Sequence, residues 1–421
     1  MAGQAGAFWL TDAADDEVGV ARDLVGANPT HVVRAADAGD VDVVSRIERA
    51  WAEARAAWGV GGSAPGAGIP VAVGWLAYDL GRALAGLPPH VGPSDGWPAA
   101  ELHFHDAVWV RDASGEARIF ARDAGAGARL ATLLERPSRT WPPRLGPLAP
   151  DHDDAIYLDG VRRVLDYLVA GDSYQVNLAR RMSAACEGGD AVELAVALRQ
   201  QAPAPRTAFI AAVGREGFVI GNSPERFLAI DVARRIETCP IKGTRPRGAD
   251  GDADRARAAE LAASAKDRAE HVMIVDLERN DLGRVCRTGS VEVSSLARVV
   301  SLPTVHHLVS TVRGVLRDDA SLAEILAATF PGGSITGAPK RRAMQIIDEL
   351  EPVPRGIYTG ATGWLGAAGD LDLAIAIRTA LVRDGRLTVS VGGGVVAEST
   401  PDAELAETNV KARAFAALAT G

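Results

Sequence analysis

The amino-acid sequence predicts a globular protein of mixed α/β or α+β class. Hydrophobic residues make up 47% of the chain and charged residues 24%, which is ordinary for a water-soluble globular protein. Segments with strand-like alternation and segments with helix-like periodicity follow one another along the 421 residues, and no internal repeat is present. A chain of this length is long enough for two domains or for one large core.

A proline-rich segment predicts a boundary within the chain. Residues 137–150 contain five prolines, and proline opposes both helix and central strand. We therefore predict an N-terminal region over 1–145 and a second domain over 151–421. In the first region we predict a helix over 41–58, a flexible glycine-rich loop over 59–68, and strands within 69–80 and 101–112.

After the boundary, helical and strand-like patterns alternate. The sequence predicts helices over 154–171, 191–201, 253–271 and 402–419, a strand over 174–184, and a hairpin formed by 207–213 and 217–230. The last helix has a strong start signal, because Thr400 offers a capping hydroxyl and Pro401 suits the first turn.

Charge and cysteine content exclude several classes of protein. The net charge of −9 argues against binding a nucleic acid, although a small anion needs only a local positive pocket. The three cysteines show no CxxC spacing, which argues against a disulfide framework or a zinc site. The N-terminus lacks the pattern of a signal peptide, and no stretch of about 18 apolar residues predicts a membrane span. We therefore expect a cytoplasmic protein that does not bind membranes.

Two pairs of acidic residues are candidates for a metal site. Asp267 and Glu270 are three residues apart on one predicted helix, and Glu404 and Glu407 have the same spacing on another, with Lys411 one turn beyond. If the two faces meet, they form an oxygen-rich site that suits magnesium. The alternative is that these acids are solvated on amphipathic helices.

Two glycine-rich segments are candidates for binding an anion. Gly392, Gly393 and Gly394 follow a predicted strand, where they could expose backbone N–H groups or form a bulge or tight turn. Ser334 lies in FPGGSITGAP, just before a helix that we expect to begin near Pro339, and a helix start favours a carboxylate.

Four further side chains have both a chemical and a purely structural interpretation. Glu225 follows a proline at the head of an apolar strand, where burial would suit it to donate a proton, although an exposed glutamate paired with Arg226 is the alternative. Of His306 and His307, strand alternation predicts that one points inward and one outward. Lys242, in TCPIKGTRPRG, is a solvated loop charge, a phosphate clamp or an amine nucleophile. From the residues alone, the prediction is a small-anion site that could include a divalent metal.

Eight blocks occur together in an order that resembles one family. They are YQVNLARR, SPERF, PIKGTRPRG, AKDRAEHVMIVDLERNDLGRV, PTVHHLVSTV, FPGGSITGAPK, AIRTA and GGGVVAEST with ETNVKA. In this order they resemble the chorismate-utilising enzymes, which include anthranilate, aminodeoxychorismate, isochorismate and salicylate synthases. The resemblance runs from about residue 157 to 411, with GWLAYDLGR similar to the N-terminal region of the same enzymes. It implies a fold of antiparallel β-sheets packed as a sandwich and flanked by helices, with 151–421 as the chorismate-binding catalytic domain.

The resemblance also implies roles for the candidate residues. It implies that Glu270 and Glu407 hold Mg²⁺, with Asp267 and Glu404 nearby, and that Glu225 assists departure of the C4 hydroxyl beside His307. The residues that it implies for substrate binding are Gln175, Thr244, Ser334, Tyr358, Arg378, Gly392, Gly393, Gly394 and Lys411.

Two positions then indicate which reaction to expect. Gln175 stands where isochorismate and salicylate synthases have a lysine that activates water, which an amide cannot do. Lys242 stands where anthranilate synthases have alanine and aminodeoxychorismate synthases have a lysine that attacks chorismate C2. A neutral amine is required for that attack, and we expect burial beside cations such as Arg245 and Arg247 to favour it. His271, by contrast, is the residue we associate with anthranilate synthases.

We therefore expect the first component of an aminodeoxychorismate synthase, which aminates chorismate at C4 for p-aminobenzoate and folate. None of the cysteines lies in a G-x-C-x-G context, so ammonia is expected from a separate glutamine amidotransferase subunit. The alternatives are an anthranilate synthase, an enzyme that stops at 2-amino-2-deoxyisochorismate, and a non-catalytic binding subunit.

Overall fold

Two large antiparallel sheets form the centre of the structure. The computed structural model describes residues 4–12, 22–59, 67–88, 90, 95–136 and 140–419. The strands are β1 (Phe8–Asp12), β2 (Arg22–Gly26), β3 (His31–Ala35), β4 (Pro70–Leu76), β5 (Ala100–Phe104), β6 (Ala107–Arg111), β7 (Ala117–Ala121), β8 (Arg144–Leu145), β9 (Ala149–Pro150), β10 (Gln175–Glu187), β11 (Arg206–Ala211), β12 (Phe218–Ser223), β13 (Arg226–Ile230), β14 (Arg235–Cys239), β15 (Ile241–Pro246), β16 (Glu292–Ser301), β17 (Val305–Val315), β18 (Gly337–Ala338), β19 (Ala361–Gly366), β20 (Leu371–Ile375), β21 (Thr379–Arg383) and β22 (Arg386–Val395).

The helices lie on the outer faces of the sheets. They are α1 (Val43–Trp58), α2 (Tyr78–Leu84), α3 (Ala124–Leu134), α4 (Asp154–Val169), α5 (Ala191–Gln201), α6 (Gly251–Ala263), α7 (Ala265–Gly283), α8 (Leu322–Thr329), α9 (Lys340–Leu350) and α10 (Pro401–Ala417), with one 3₁₀ turn at Gly333–Ile335. None of the described helices is both long enough and apolar enough to cross a membrane.

Each sheet takes strands from both ends of the chain. The first sheet has the order β18-β10-β22-β21-β12-β11-β1-β2-β6-β7, with β8 and β9 also paired to β10. The second has the order β15-β17-β14-β13-β20-β19-β4-β5-β3, with β16 paired to β17. The domain boundary near residue 145 stays a prediction. In each sheet, a block of strands from before this boundary pairs edge to edge with a block from after it.

The two sheets pack face to face over an aromatic core. Phe8 of β1 and Ile210 of β11 belong to the first sheet, while Trp75 of β4 and Trp364 of β19 belong to the second, and all four lie in one buried cluster. Burial of such side chains stabilises the fold by about 1.5–3 kcal/mol each. The outer faces are covered by helices, α1, α2, α7 and α8 on the second sheet and α5 and α10 on the first. The expected sandwich of antiparallel sheets flanked by helices is therefore confirmed.

Several predicted elements differ from the structure at their ends. The helix predicted over 253–271 is two helices, because Ser264 is extended (φ −67°, ψ 106°) and its side chain accepts from the Asp267 N–H to start α7. The last helix has Pro401 in its first turn as predicted, but the Thr400 side chain makes no capping hydrogen bond. Residues 60–66 of the glycine-rich loop lie outside the described residues.

A predicted continuous segment is divided between the two sheets. Residues 207–213 and 217–223 form the expected hairpin of β11 and β12 in the first sheet, but β13, from Arg226, pairs with β14 and β20 in the second. The chain crosses between the sheets at Pro224 and Glu225. This crossing carries the Glu225 side chain toward β15, which lies at the edge of the second sheet.

Candidate active site

Lys242 lies on β15 next to a bulge. The register between β15 and β17 shifts between Lys242 and Thr244, and Gly243 is the extra residue, with φ +72°. A residue other than glycine is strained in this left-handed conformation. The Lys242 Nζ donates to the Ser334 carbonyl at 3.1 Å. Burial lowers the pKa of Lys242; Glu225 opposes this shift and Lys411 adds to it.

The cations that lower the pKa of Lys242 are not those expected. Arg245 is bound to Glu260 and Asp267, and Arg247 is bound to Asp254, so both guanidinium groups point away toward α6 and α7. The expectation that Arg245 and Arg247 assist Lys242 was wrong, because both guanidinium groups turn toward carboxylates of α6 and α7 and neither is among the causes of the Lys242 pKa shift. Lys411, from α10, supplies that positive charge instead.

Glu225 is buried close to Lys242. It is 4% exposed, and its Oε1 accepts a hydrogen bond from the Ile241 N–H at 3.3 Å. Burial raises the pKa of Glu225 to about 6, while the Ser334 hydroxyl and the charge of Lys242 oppose that shift. The alternative of an exposed glutamate paired with Arg226 is wrong, because Arg226 binds Glu237 and Asp372. A carboxyl with this pKa can donate a proton near neutral pH.

His307 presents one unpartnered nitrogen inside the protein. Its Nδ1 lies 2.9 Å from the Thr244 hydroxyl and 3.4 Å from the Gly243 carbonyl, so Nδ1 carries the hydrogen that this carbonyl accepts. Burial, aided by the charge of Arg378, lowers the pKa of His307 to about 4, so the ring is neutral at pH 7. Its Nε2 is buried with no hydrogen-bond partner among the described residues and is free to accept one from a ligand.

His306 is also buried, which corrects the expectation of one inward and one outward histidine. The two side chains do leave opposite faces of β17, but α6 covers the second face. His306 Nε2 lies 3.0 Å from Asp254 of that helix, and its Nδ1 lies 2.8 Å from the Ser301 hydroxyl. Strand alternation predicted the two directions correctly and could not show that both faces are covered.

The three consecutive glycines belong to a strand and do not form a turn. Gly392, Gly393 and Gly394 pair with Ala179, Leu178 and Asn177 of β10. A β-carbon on Gly394 would lie 2.6 Å from Gln175 Nε2 and 3.4 Å from Lys242 Nζ, and one on Gly393 would lie 2.7 Å from Glu404 Oε2. These glycines therefore let polar groups approach β22 from both of its faces.

Gln175 is the second buried polar group without a partner in this region. Its side chain is 0% exposed, and neither amide atom has a hydrogen-bond partner among the described residues. A buried amide in this state is a binding group for a ligand, since leaving it unpaired costs about 1–3 kcal/mol. An amide cannot remove a proton from water, so Gln175 offers binding but no base.

Arg378 supplies a positive charge with no carboxylate partner among the described residues. It has φ +48°, an uncommon conformation for a residue with a side chain. Burial lowers its pKa, and the charge of Glu225 opposes that shift. A buried guanidinium without a carboxylate partner suits an anionic ligand.

The four acidic residues lie near one another, and three of them also have a basic partner: Lys266 for Glu270, Lys411 for Glu407 and Arg245 for Asp267. Glu404 Oε1 accepts from Ser399 at 2.6 Å, whereas Glu404 Oε2 is buried without a partner among the described residues. Burial raises the pKa of Glu270 and of Glu404, and Glu404 also contributes to the shift of Glu270. Glu407 lies 2.7 Å from Lys411. Asp267 is bound to Arg245, and its charge also helps to raise the pKa of Glu270.

The residues present fit a magnesium ion whose coordination shell is completed by other ligands. Across the described parts of the chain, no group of three or more histidine, cysteine, aspartate or glutamate side chains is close enough to form a metal site by itself. Magnesium usually takes only one or two carboxylates and fills its shell with water and substrate oxygens. The unpartnered Glu404 Oε2, beside Glu270 and Glu407, provides such a set of oxygens.

Tyr358 is the expected site residue that the structure places apart from Lys242. It lies beside Asn177 and Arg355 and lines a surface cleft alongside β10. No described contact joins Tyr358 to Lys242, Glu225 or Arg378. Ser334, by contrast, lies beside both groups. Its carbonyl accepts from Lys242, and its buried hydroxyl, which has no hydrogen-bond partner among the described residues, is close enough to Glu225 to lower the pKa of that carboxyl.

One buried acid near the site was not predicted from the sequence. Glu278, on α7, is 6% exposed and accepts a hydrogen bond from the Thr238 hydroxyl at 2.9 Å. Its spacing was an available signal, because His271, Ile274, Val275 and Leu282 form the buried face of the same helix and Glu278 falls on it.

The fold and this set of residues define an enzyme that binds chorismate. Residues 6–417 match the family described as chorismate binding enzyme, and the chain belongs to that family. It is 43% identical over 340 residues to aminodeoxychorismate synthase component 1 of Salmonella typhimurium, covering 80% of this chain and 74% of that protein.

The chain is also similar to proteins named anthranilate synthase. The chain is 46% identical over 261 residues to anthranilate synthase component 1 of Arthrobacter globiformis, covering 61% of this chain and 49% of that protein. The crystal structure of anthranilate synthase component I from Streptococcus pneumoniae has a TM-score of 0.79 and 28% identity, covering 94% of this chain and 92% of that one. The choice between these reactions therefore depends on the site.

Proposed function

We propose that this chain is the chorismate-aminating component of an aminodeoxychorismate synthase. It converts chorismate and ammonia to 4-amino-4-deoxychorismate. The observation that carries the proposal is the placement of Lys242 and Glu225 together: an amine whose pKa is lowered by burial lies against Ser334, and an acid whose pKa is raised to about 6 lies against the same residue.

The proposed reaction begins with Lys242. Its neutral Nζ attacks chorismate C2, and the ring double bonds shift as the C4 hydroxyl leaves with a proton from Glu225. Ammonia then adds at C4, and the double bonds shift back as Lys242 departs with its electron pair. Lowering the pKa of Lys242 increases the neutral fraction available for attack, and raising that of Glu225 keeps its proton available near pH 6.

The remaining residues bind and orient the dianionic substrate. Arg378 and Lys411 supply positive charge for carboxylates, and His307 Nε2 and Gln175 accept or donate hydrogen bonds to the ring substituents. Gln175 lacks the basicity to activate water, which disfavours hydroxylation at C2. Amination therefore fits this pocket better than isochorismate formation does.

A magnesium ion would be held by Glu270 and Glu407, with Glu404 beside them. When bound, the ion neutralises a substrate carboxylate and fixes its position. Glu404 Oε2 could coordinate such an ion or accept a hydrogen bond from its water, because Ser399 donates to the other carboxylate oxygen.

The source of ammonia is proposed to be a separate glutamine amidotransferase subunit. The relative from Salmonella typhimurium is named as a component 1, which supports a partner chain. Ammonium salt should replace that partner in a test with this chain alone.

Product identification tests the proposal. Purified chain, chorismate, magnesium and ammonium are incubated with and without aminodeoxychorismate lyase. We expect p-aminobenzoate only when the lyase is present. Anthranilate without the lyase would overturn the proposal in favour of the second candidate, anthranilate synthase, which the similarity to the Arthrobacter globiformis protein favours.

A further inference from the structure

One buried arginine joins two segments that carry site residues. The Arg355 side chain is 2% exposed and lies between α9 and β19. Its Nη1 donates to the Ile335 carbonyl at 2.9 Å, and its Nη2 donates to the Asn177 carbonyl at 2.5 Å. Ile335 directly follows Ser334, and Asn177 lies two residues beyond Gln175 on β10. Neither the family resemblance nor the proposed reaction gives Arg355 a role.

Glu351 fixes the direction of this guanidinium group. Arg355 Nε donates to Glu351 Oε2 at 2.9 Å, and Arg355 Nη2 donates to Glu351 Oε1 at 2.6 Å, which is the two-bond geometry that arginine forms with a carboxylate. The ring of Tyr358 also lies against Arg355, with 5.9 Å between the ring centroid and the Arg355 Cζ atom. A lysine has no planar guanidinium group, so it cannot make all of these contacts at once.

The Arg355–Glu351 pair takes the place of a strand beside β10. β18 pairs with the first two residues of β10, and β9 pairs with two residues further along the same edge. Between them, the carbonyl of Asn177 accepts from Arg355, and the N–H of Ala179 donates to Glu351 Oε1 at 2.8 Å. The two side chains therefore satisfy backbone groups of β10 that are buried beyond the end of β18.

The Gly333–Ile335 turn, which Arg355 binds, lies beside both reacting side chains. The Ser334 carbonyl accepts from Lys242 Nζ at 3.1 Å, and the Ser334 hydroxyl is close enough to Glu225 to lower the pKa of that carboxyl. The surroundings of the amine and of the acid therefore depend on where this turn lies. Because a misplacement of about 1 Å can cost about 10²-fold in rate, a contact that fixes the turn affects catalysis without touching the substrate.

We propose that Arg355, held by Glu351, is a positioning residue for the reaction. Its guanidinium group fixes the Gly333–Ile335 turn against β10 and so sets how that turn meets Lys242 and Glu225. The inference rests on the proposed function, because it takes these two side chains as the groups that react with chorismate.

The steady-state rate of chorismate consumption tests this role. Arg355→Lys keeps the positive charge opposite the carboxylate but loses the planar set of hydrogen bonds. With magnesium and ammonium, we expect kcat to fall by about tenfold to 10²-fold. We expect KM to change by less than about threefold, because no described contact joins Arg355 to Arg378 or Lys411, which are expected to bind the substrate carboxylates. Arg163→Lys is the matched control and should keep both constants, since Arg163 is exposed on α4, where it binds Glu349.

A guanidinium ion should take the place of the missing group in a smaller variant. Arg355 and Glu351 line the surface cleft alongside β10, so the space left in Arg355→Ala is open to that cleft. About 50 mM guanidinium chloride, far below the molar concentrations that unfold proteins, should raise the kcat of Arg355→Ala by about tenfold. Urea at the same concentration has no charge and should not. Circular dichroism at the assay temperature measures the folded fraction of each variant.

Each outcome bears on the positioning role. An unchanged kcat in Arg355→Lys would overturn it, and so would a lower rate that the folded fraction alone explains, or a folded Arg355→Ala that guanidinium does not restore. If Arg355→Ala does not fold, Glu351→Gln replaces it and should lower kcat in the same way as Arg355→Lys. If the unmodified chain consumes no chorismate, the proposed function fails and this inference with it; if it does and kcat is unchanged in Arg355→Lys, only the positioning role fails.

Discussion

At the scale of single residues, the site pairs an amine and an acid whose pKa values are shifted toward each other. The pKa of Lys242 is lowered and that of Glu225 is raised, and burial is the largest cause of both shifts. Both groups lie beside the turn that contains Ser334, so this turn influences the protonation of the amine and of the acid. His307 adds a neutral ring with a free Nε2. These shifts suit nucleophilic attack combined with general acid assistance.

Replacing the amine should abolish amination at C4. We expect Lys242→Ala to form aminodeoxychorismate at least about 10³-fold more slowly, because it lacks the nucleophile. Lys242→Arg is the matched control for charge, since a guanidinium remains protonated and should bind chorismate without reacting. Product analysis by mass distinguishes the outcomes: slow anthranilate formation in Lys242→Ala agrees with the account, and full aminodeoxychorismate formation contradicts it.

Replacing Glu225 should lower activity and increase the free energy of unfolding at higher pH. A raised pKa means that the stability supplied by protonated Glu225 is complete below the unfolded pKa of about 4.3 and is lost as the pH rises through about 6. Glu225→Gln should therefore gain about 1 kcal/mol of unfolding free energy, relative to the unmodified chain, between pH 5 and pH 8. Urea denaturation at both pH values measures this gain, with exposed Glu292→Gln as the control substitution. A constant difference at the two pH values would count against a buried acid.

At the scale of secondary-structure elements, glycine positions bring β22 and β15 close to polar side chains. Gly243 forms the bulge that follows Lys242, and Gly393 and Gly394 leave space for Glu404 and Gln175. From the sequence, these glycines were expected to follow a strand and either to bind an anion through their N–H groups or to form a bulge or tight turn. The structure places them within a strand, because β10 pairs with all three. A run of glycines has no side-chain alternation, so the usual strand pattern was absent from the sequence.

A single methyl group should disturb this approach. In Gly394→Ala the new β-carbon would lie 2.6 Å from Gln175 Nε2, which has to move. We expect kcat/KM for chorismate to fall by about tenfold to 10²-fold, because small displacements of binding groups weaken catalysis. Gly283→Ala is the matched control, since a β-carbon there meets nothing within 4 Å. Equal activity of the two variants would show that Gln175 does not contact the substrate.

Other differences between sequence and structure have definable physical causes. The helix-forming run of alanine and charged residues over 253–271 continues through Ser264 without glycine or proline, so the helix break depended on a local capping bond that the sequence pattern does not reveal. Glu225 and Lys242 are far apart in the sequence, and only the crossing at Pro224 brings them together. The identity of the cation that lowers the pKa of Lys242, which is Lys411 and not Arg245, depends on tertiary contacts. Periodicity and family resemblance predicted the sandwich and most of its elements. They did not predict which charged side chains pair with one another.

At the scale of the whole molecule, the sheets join the two predicted regions. β1 pairs with both β2 and β11, and β4 pairs with both β5 and β19. The shared aromatic core contains Trp75 from before the boundary and Trp364 from after it. Removing the N-terminal region would therefore expose sheet edges and apolar surface in the remainder.

A fragment of residues 151–421 should not fold by itself. The exposed edges of β11 and β19, together with half of the core, would leave it aggregated or without a cooperative thermal transition. Circular dichroism during heating, with the full chain as the reference, measures this. A monomeric fragment with a sharp transition would contradict the shared-core account. Restoring the fold by adding residues 1–145 as a separate chain would support it.

The central claim is that Lys242 bonds to chorismate. The chain is mixed with chorismate and magnesium in the absence of ammonium, quenched within one turnover, and digested for peptide mass mapping. We expect a peptide containing Lys242 that carries the mass of chorismate less one water, and no such peptide from Lys242→Ala. An adduct on another residue, or none in a chain that aminates chorismate at C4 when ammonium is added, would contradict it.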